Sequence, residues 1–193
     1  MSNLTIKITG DMYNHTGYGK FIRDFIKALY ERNYSLILEP TSFKKTNKII
    51  SEDEKIINNL SNFVNRVFSR KKPDIKIINY TANMFQYFKE PNIKNIGFTM
   101  LETSRLPKSW VGWCNNMDAI FVPCNWNKNV CEESGVKVPL YVVQPGFECP
   151  QDLIPKNKLN FKKDKDFAFY SIFQWTERKN PEGLIKAYLS EFQ

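Results

Sequence analysis

Three groups of residues in this chain could handle a phosphate or a proton. Gly17-Tyr18-Gly19 stands between a short apolar segment and a helical stripe. Glycines in such a turn let the backbone approach a ligand, and N–H groups at a helix start favour an anion. His15, the single histidine, lies in the same loop. Glu102 follows Gly97-Phe98-Thr99-Met100-Leu101. A carboxylate just past the end of a strand can accept a proton from a hydroxyl. Arg178 and Lys179 precede Asn180-Pro181, an N-cap residue and a proline suited to the first helical position. Two cations beside a helix N-terminus suit a diphosphate. Each group also has a plain structural alternative: a tight turn for the glycines, pairing with Arg105 for Glu102, and a solvated turn for Arg178 and Lys179.

The elements that must position these residues alternate between strand and helix. Strands are expected at Leu4 to Thr9, Tyr34 to Leu38, Asp74 to Asn79, Asn95 to Met100, Ala119 to Val122 and Leu140 to Val143. A helical stripe runs through Phe21, Ile22, Phe25, Ile26 and Leu29. Ser51 to Glu54 is a capping box ahead of a long amphipathic stretch ending near Phe68. Further helices are expected over Pro107 to Asn116 and Asn125 to Ser134. Such alternation predicts an α/β fold, a Rossmann-like open parallel sheet with helices on both faces. Ligands of such sheets bind at the carboxyl ends of the strands, so the loops after Thr9, Met100, Val122 and Val143 should share one edge.

Composition narrows the setting. The 193 residues are 42% hydrophobic and 15% aromatic, enough for a packed core, and no apolar run approaches membrane-spanning length. The N-terminus lacks the charged start and long apolar stretch of a signal peptide, so a cytoplasmic location is expected. Cys114, Cys124, Cys131 and Cys149 have no C-x-x-C spacing, and with one histidine they predict free thiols and no metal site. The net charge of +8 is mostly scattered lysine, without a basic stripe or nucleic-acid motif. It allows peripheral contact with an anionic membrane surface.

Residues 95 to 192 resemble the group 1 (family 4-like) glycosyltransferases of the GT-B fold. The resemblance rests on Gly97 to Thr103, Leu106-Pro107, Trp110, Cys114-Asn115 and Asp118 to Pro123. It continues through Asn125-Trp126-Asn127, Ser134 to Pro139, Pro145-Gly146 and Arg178 to Pro181. The glycine loop at 17 to 19 fits the family more loosely, and Cys124 stands where a serine is expected. The resemblance implies two Rossmann-like domains facing a cleft, a nucleoside-diphosphate sugar as donor, a glycan or other hydroxyl compound as acceptor, and no cofactor or metal. It implies a catalytic role for Glu102 and donor-phosphate contacts from Gly17, Tyr18, Gly19, Arg178 and Lys179. His15, Thr103, Asn125 and Trp126 would line the acceptor side of the cleft.

The expected organisation is an acceptor-side domain over residues 1 to 150, a linker over 151 to 166, and the first β-α unit of an incomplete donor domain over 167 to 193. Its strand would be Phe167 to Phe173, and its helix would carry Leu184, Ile185, Tyr188, Leu189 and Phe192. Such a chain is expected to bind nucleotide sugars weakly and to turn them over little by itself. Its unfinished unit would favour self-association. The alternative is a catalytically inactive relative that binds a saccharide or a protein.

Overall fold

Ile6 and Ile8 alternate with Thr5, Lys7 and Thr9, and this two-residue period makes Thr5–Gly10 the first strand, β1. The computed structural model describes residues 4–14, 16–41, 72–146 and 169–192. Two compact units divide the chain, Met1–Glu148 and Cys149–Gln193. The expected capping-box helix, the linker, His15 and Cys149 lie outside the described residues.

In the first unit β1 leads into helix α1, Gly17–Glu31, and strand β2, Ser35–Pro40. Strand β3, Ile75–Asn79, is followed by a 3-10 turn, Ala82–Met84, and the short helix α2, Phe85–Phe88. Then come β4 Lys94–Phe98, α3 Lys108–Asn115, β5 Ala119–Val122, α4 Asn125–Ser134 and β6 Leu140–Val142. The six strands form one open sheet in the order β2-β1-β3-β4-β5-β6, and every pairing is parallel. This is the Rossmann-like α/β architecture that the strand-helix alternation predicts. No helix among the described residues is long and apolar enough to cross a membrane.

Both faces of the sheet are covered, and adjacent residues of single strands show it. Ile77 packs with Ile6, Ile8, Phe21, Ile22 and Ile26 in the core under α1. Its neighbour Ile78 joins Phe85, Cys114, Ile120, Val130 and Cys131 in the core under α2, α3 and α4. Successive side chains of a strand point to opposite faces, so the two cores lie on opposite sides. Gly97 makes room for this second core. A side chain there would overlap the Phe85 ring, which lies against β4. The turn and α2 at Ala82–Phe88 are absent from the sequence expectation because seven residues are too few to show a helical period.

Over β1 to β3 the second face is charged instead of apolar. Lys76 is buried and its Nζ lies 2.8 Å from Glu39 and 2.7 Å from Glu90. Lys7 pairs with the same two carboxylates, and the Thr9 hydroxyl donates to Glu39. Register places Lys7 beside Lys76, so two like charges sit side by side with two glutamates between and around them. Asn95 fixes the Glu90 end by accepting from the Glu90 N–H at 2.9 Å and donating to the Glu90 carbonyl at 2.8 Å.

In the second unit Asn180 caps helix α5, Pro181–Glu191, as expected, its Oδ1 accepting from Gly183 N–H. The strand expected over 167 to 173 is not formed over its described part. Residues 169 to 173 carry no ladder, and a strand exists only through hydrogen bonds to a neighbour. Phe169 packs within its own unit, edge-on to the Tyr188 ring at 5.8 Å and tilted against that of Phe192 at 5.1 Å.

Two stability predictions follow from these contacts. Burial alone would raise the carboxyl pKa of Glu39 and Glu90. Hydrogen bonds from Lys76 and Thr9 to Glu39, and from Lys7 and Lys76 to Glu90, hold both below the ordinary range. A depressed carboxyl pKa stabilises the fold above the unfolded value and loses that contribution as pH falls through the folded one. Thermal melts should therefore show Tm falling below about pH 5, with a shallower fall in Glu39→Gln. Burial would lower Lys7, but its hydrogen bonds to Glu90 and Glu39 raise it overall, so its contribution persists until pH exceeds the ordinary 10.5. Separately, Cys124 occupies the N-cap of α4 and its side chain makes no capping bond. Cys124→Ser should add about 0.5–1 kcal/mol by supplying one, read from denaturant melts.

Candidate functional site

β1 is paired with β2 on one side and β3 on the other, so the chain reverses its direction of travel across the sheet at this point. Crevices of open parallel sheets form where the strand order reverses, outside the carboxyl ends. Here the two flanking ends are Gly10 and Asn79, which are register partners.

The loop after β1 is held from below by a buried cation. Arg23 of α1 is 6% exposed, and its guanidinium donates to the carbonyls of Met12 at 2.9 Å and Asn14 at 2.7 Å. The Asn14 carbonyl lies so close to Gly19 that any side chain there would overlap it. The Gly19 N–H donates to the Thr16 hydroxyl, the N-cap bond of α1. Gly17 is different. It is exposed, and a side chain built on it would meet nothing within 4 Å. Among the described residues no acceptor sits on the N–H of Gly17 or Tyr18. The two glycines read alike in sequence, yet Gly19 seats the loop while Gly17 leaves open space before a helix N-terminus.

Tyr18 connects this helix to the loop after β4. Its hydroxyl donates to the Met100 carbonyl at 3.1 Å and accepts from the Met100 N–H at 3.1 Å. Burial raises the phenol pKa, the hydrogen bond with the Met100 backbone and the nearby Thr99 hydroxyl oppose this, and the negative charge of Glu102 raises it further. Glu102 is thus within electrostatic reach of Tyr18, and its side chain is exposed. The residue before it is clamped by α4. Asn127, 3% exposed, accepts from the Leu101 N–H at 2.9 Å and donates to the Leu101 carbonyl at 3.1 Å. Ser134 accepts from the Leu106 N–H at 3.0 Å and closes the other end of the loop.

Between the two strand ends lies a crevice of about 200 Å³, lined by Asp11, Thr16, Tyr18, Asn79, Tyr80 and Thr81. The Tyr80 hydroxyl is hydrogen-bonded to Thr41 at 2.8 Å, and Asp11 accepts from the Asn14 amide at 2.8 Å. Asn79 is 2% exposed, and neither its Oδ1 nor its Nδ2 has a partner.

The chain matches no family model and no curated protein.

The geometry brings Gly17, Tyr18 and Glu102 to one edge of the first unit and sets Gly19 behind them. Thr103 is exposed and donates to the Arg105 carbonyl at 2.9 Å. Asn125 and Trp126 open α4 with their side chains exposed, Trp126 by 49%. Arg178 and Lys179 are exposed in the 3-10 turn Glu177–Lys179 of the second unit. Cys114 and Cys131 are buried free thiols, pushed up by burial to about 12 and about 11. They are inert at neutral pH. Arg23 and Asn79 carry no site expectation in the sequence, and Asn127 enters only within the Asn125-Trp126-Asn127 motif. Asn79 was within reach of the carboxyl-edge rule, because the strand it ends was read correctly. Nothing in the sequence marks Arg23 as buried.

Asn127→Ala should strip a buried N–H and a buried carbonyl of Leu101 of their partners at once. It should destabilise the protein by about 2–4 kcal/mol and speed amide exchange through Met100 to Leu106. Denaturant melts and hydrogen exchange measure both effects.

Proposed function

We propose that this chain carries the acceptor side of a glycosyl-transfer site, which takes a sugar from a nucleoside-diphosphate donor and delivers it to a hydroxyl. The observation that supports this most directly is the Tyr18–Met100 contact. It joins the helix N-terminus suited to phosphate to the loop that carries Glu102. These are the two parts that the motif resemblance assigns to donor and acceptor chemistry.

In this reading the sugar's anomeric carbon loses its bond to the diphosphate oxygen and gains one to the acceptor oxygen. Glu102 takes the acceptor's proton. The charge gathering on the diphosphate is met by the N–H groups of Gly17 and Tyr18 and by the partial positive charge of the α1 N-terminus. Gly19 has no phosphate role, because its N–H is used by Thr16. Asn127 acts as a positioning residue by holding the backbone next to Glu102.

Titrating the ¹⁵N-labelled chain with UDP-glucose and GDP-mannose tests this. At least one donor should shift the amide resonances of Gly17 and Tyr18 more than that of Gly19. Gly17→Ala should weaken binding while leaving Tm unchanged or slightly raised, because the added methyl meets no neighbour. Any donor turnover should fall about 10²-fold or more in Glu102→Gln. Absence of shifts at this edge with every donor, together with an unaltered rate in Glu102→Gln, would discard the reading. Saccharide binding without donor binding would favour the inactive, saccharide-binding alternative.

A further inference from the structure

The second unit presents an apolar patch to solvent. Leu184, Ile185, Tyr188, Leu189 and Phe192 recur along α5 at the spacing of one helix face. They remain 47–57% exposed. Phe169 extends the patch, because its ring meets those of Tyr188 and Phe192, which lie 5.2 Å apart, and it is 62% exposed. The opposite side of α5 is polar, with Glu182 and Lys186 paired across one turn and well exposed. A surface helix ordinarily turns its apolar stripe to a core and its charges to water. Here both faces meet water. Single apolar side chains on a surface need no explanation, whereas a contiguous group marks a place where something docks.

Size and charge narrow the occupant. An aromatic side chain offers about 150–250 Å², so six large residues exposed by half or more leave roughly 500–600 Å² of apolar surface. That is the upper end of what a monomer shows, about 300–600 Å². With a polar rim it approaches the roughly 800 Å² that each partner gives to a standard interface. Over its described residues the unit balances Arg178, Lys179 and Lys186 against Glu177, Glu182 and Glu191. Helices that lie on anionic lipid carry an excess of lysine and arginine beside the apolar face, but α5 has one lysine and two glutamates. A second copy of this chain suits the same charges. Lys179 precedes α5 and Glu191 ends it. Two such helices running antiparallel about a two-fold axis bring opposite charges and opposite dipole ends together.

We propose that the apolar face of α5 is a homodimer interface, covered by the same face of a second copy. The proposal stands on the second unit alone and does not depend on the glycosyl-transfer reading.

Sedimentation equilibrium of the full chain over about 1 to 100 µM should show a monomer–dimer equilibrium. Leu189→Asp should raise the dimer dissociation constant about tenfold or more, because dimerisation would bury a carboxylate against the partner's apolar side chains. Leu189→Ser should shift it in the same direction by less. Leu189 is more than half exposed in the single chain, so both variants should keep the circular dichroism spectrum and Tm of the monomer. Lys186→Ala, on the other side of α5, should dimerise like the unaltered chain. A monomer throughout the concentration range would overturn the proposal. So would an unchanged dissociation constant in both Leu189 variants, or equal weakening by Lys186→Ala. Cosedimentation of a monomer with phosphatidylserine-containing vesicles, lost in Leu189→Asp, would assign the patch to a lipid surface and overturn the second copy as its occupant.

Discussion

The ladder of β1 constrains everything else in the first unit. Because β1 is hydrogen-bonded on both sides, the chain must leave it in one direction toward β2 and return past it to reach β3. The loops that follow β1 and β3 then splay apart above the sheet. That separation creates a concave edge that no side chain of the sheet itself can fill. Arg23 makes the arrangement rigid by tying two carbonyls of the first loop to α1. A buried guanidinium is costly unless its donors are used; two bonds from Arg23 go to these carbonyls while its buried Nε has no partner, so holding the loop carries a cost in stability.

Much of the scaffold is legible in the sequence. The strand at Ala119 to Val122 and the helix at Asn125 to Ser134 coincide with β5 and α4, because each is bounded by residues with clear turn or cap preferences. Gly135, at φ 100°, ends α4 as a left-handed cap. Asn180 and Pro181 marked the start of α5 for a similar reason. Local chemistry of this kind is written in neighbouring residues, and a sequence displays it directly.

What stayed hidden depends on residues far apart in the chain. The two glycines of the first loop looked equivalent, and only the carbonyl of Asn14 separates their roles. The apolar run before Trp175 has a strand's composition, yet its described residues form no ladder, since pairing is a property of two segments. Trp126 and Asn127 stand side by side in one motif, yet Trp126 is half exposed while Asn127 is buried and holds the loop after β4. The four-charge cluster of Lys7, Glu39, Lys76 and Glu90 was likewise invisible, because its members come from three strands and a loop.

The bond between Tyr18 and Met100 also bears on the order in which the molecule is built. Those residues are 82 positions apart. Closing a loop of that length costs entropy that one hydroxyl cannot repay. The parallel pairings of β1 with β3 and of β3 with β4 must already hold the two ends near each other. Asn127 and Leu101, by contrast, are 26 positions apart, and their clamp needs only β4, β5 and α4. The edge is therefore hierarchical: the Glu102 loop is held by a nearer partner, while the bond to the helix N-terminus depends on the strand pairings as well. The site is a product of the completed sheet, and a partly folded chain has the loops without the place where they meet.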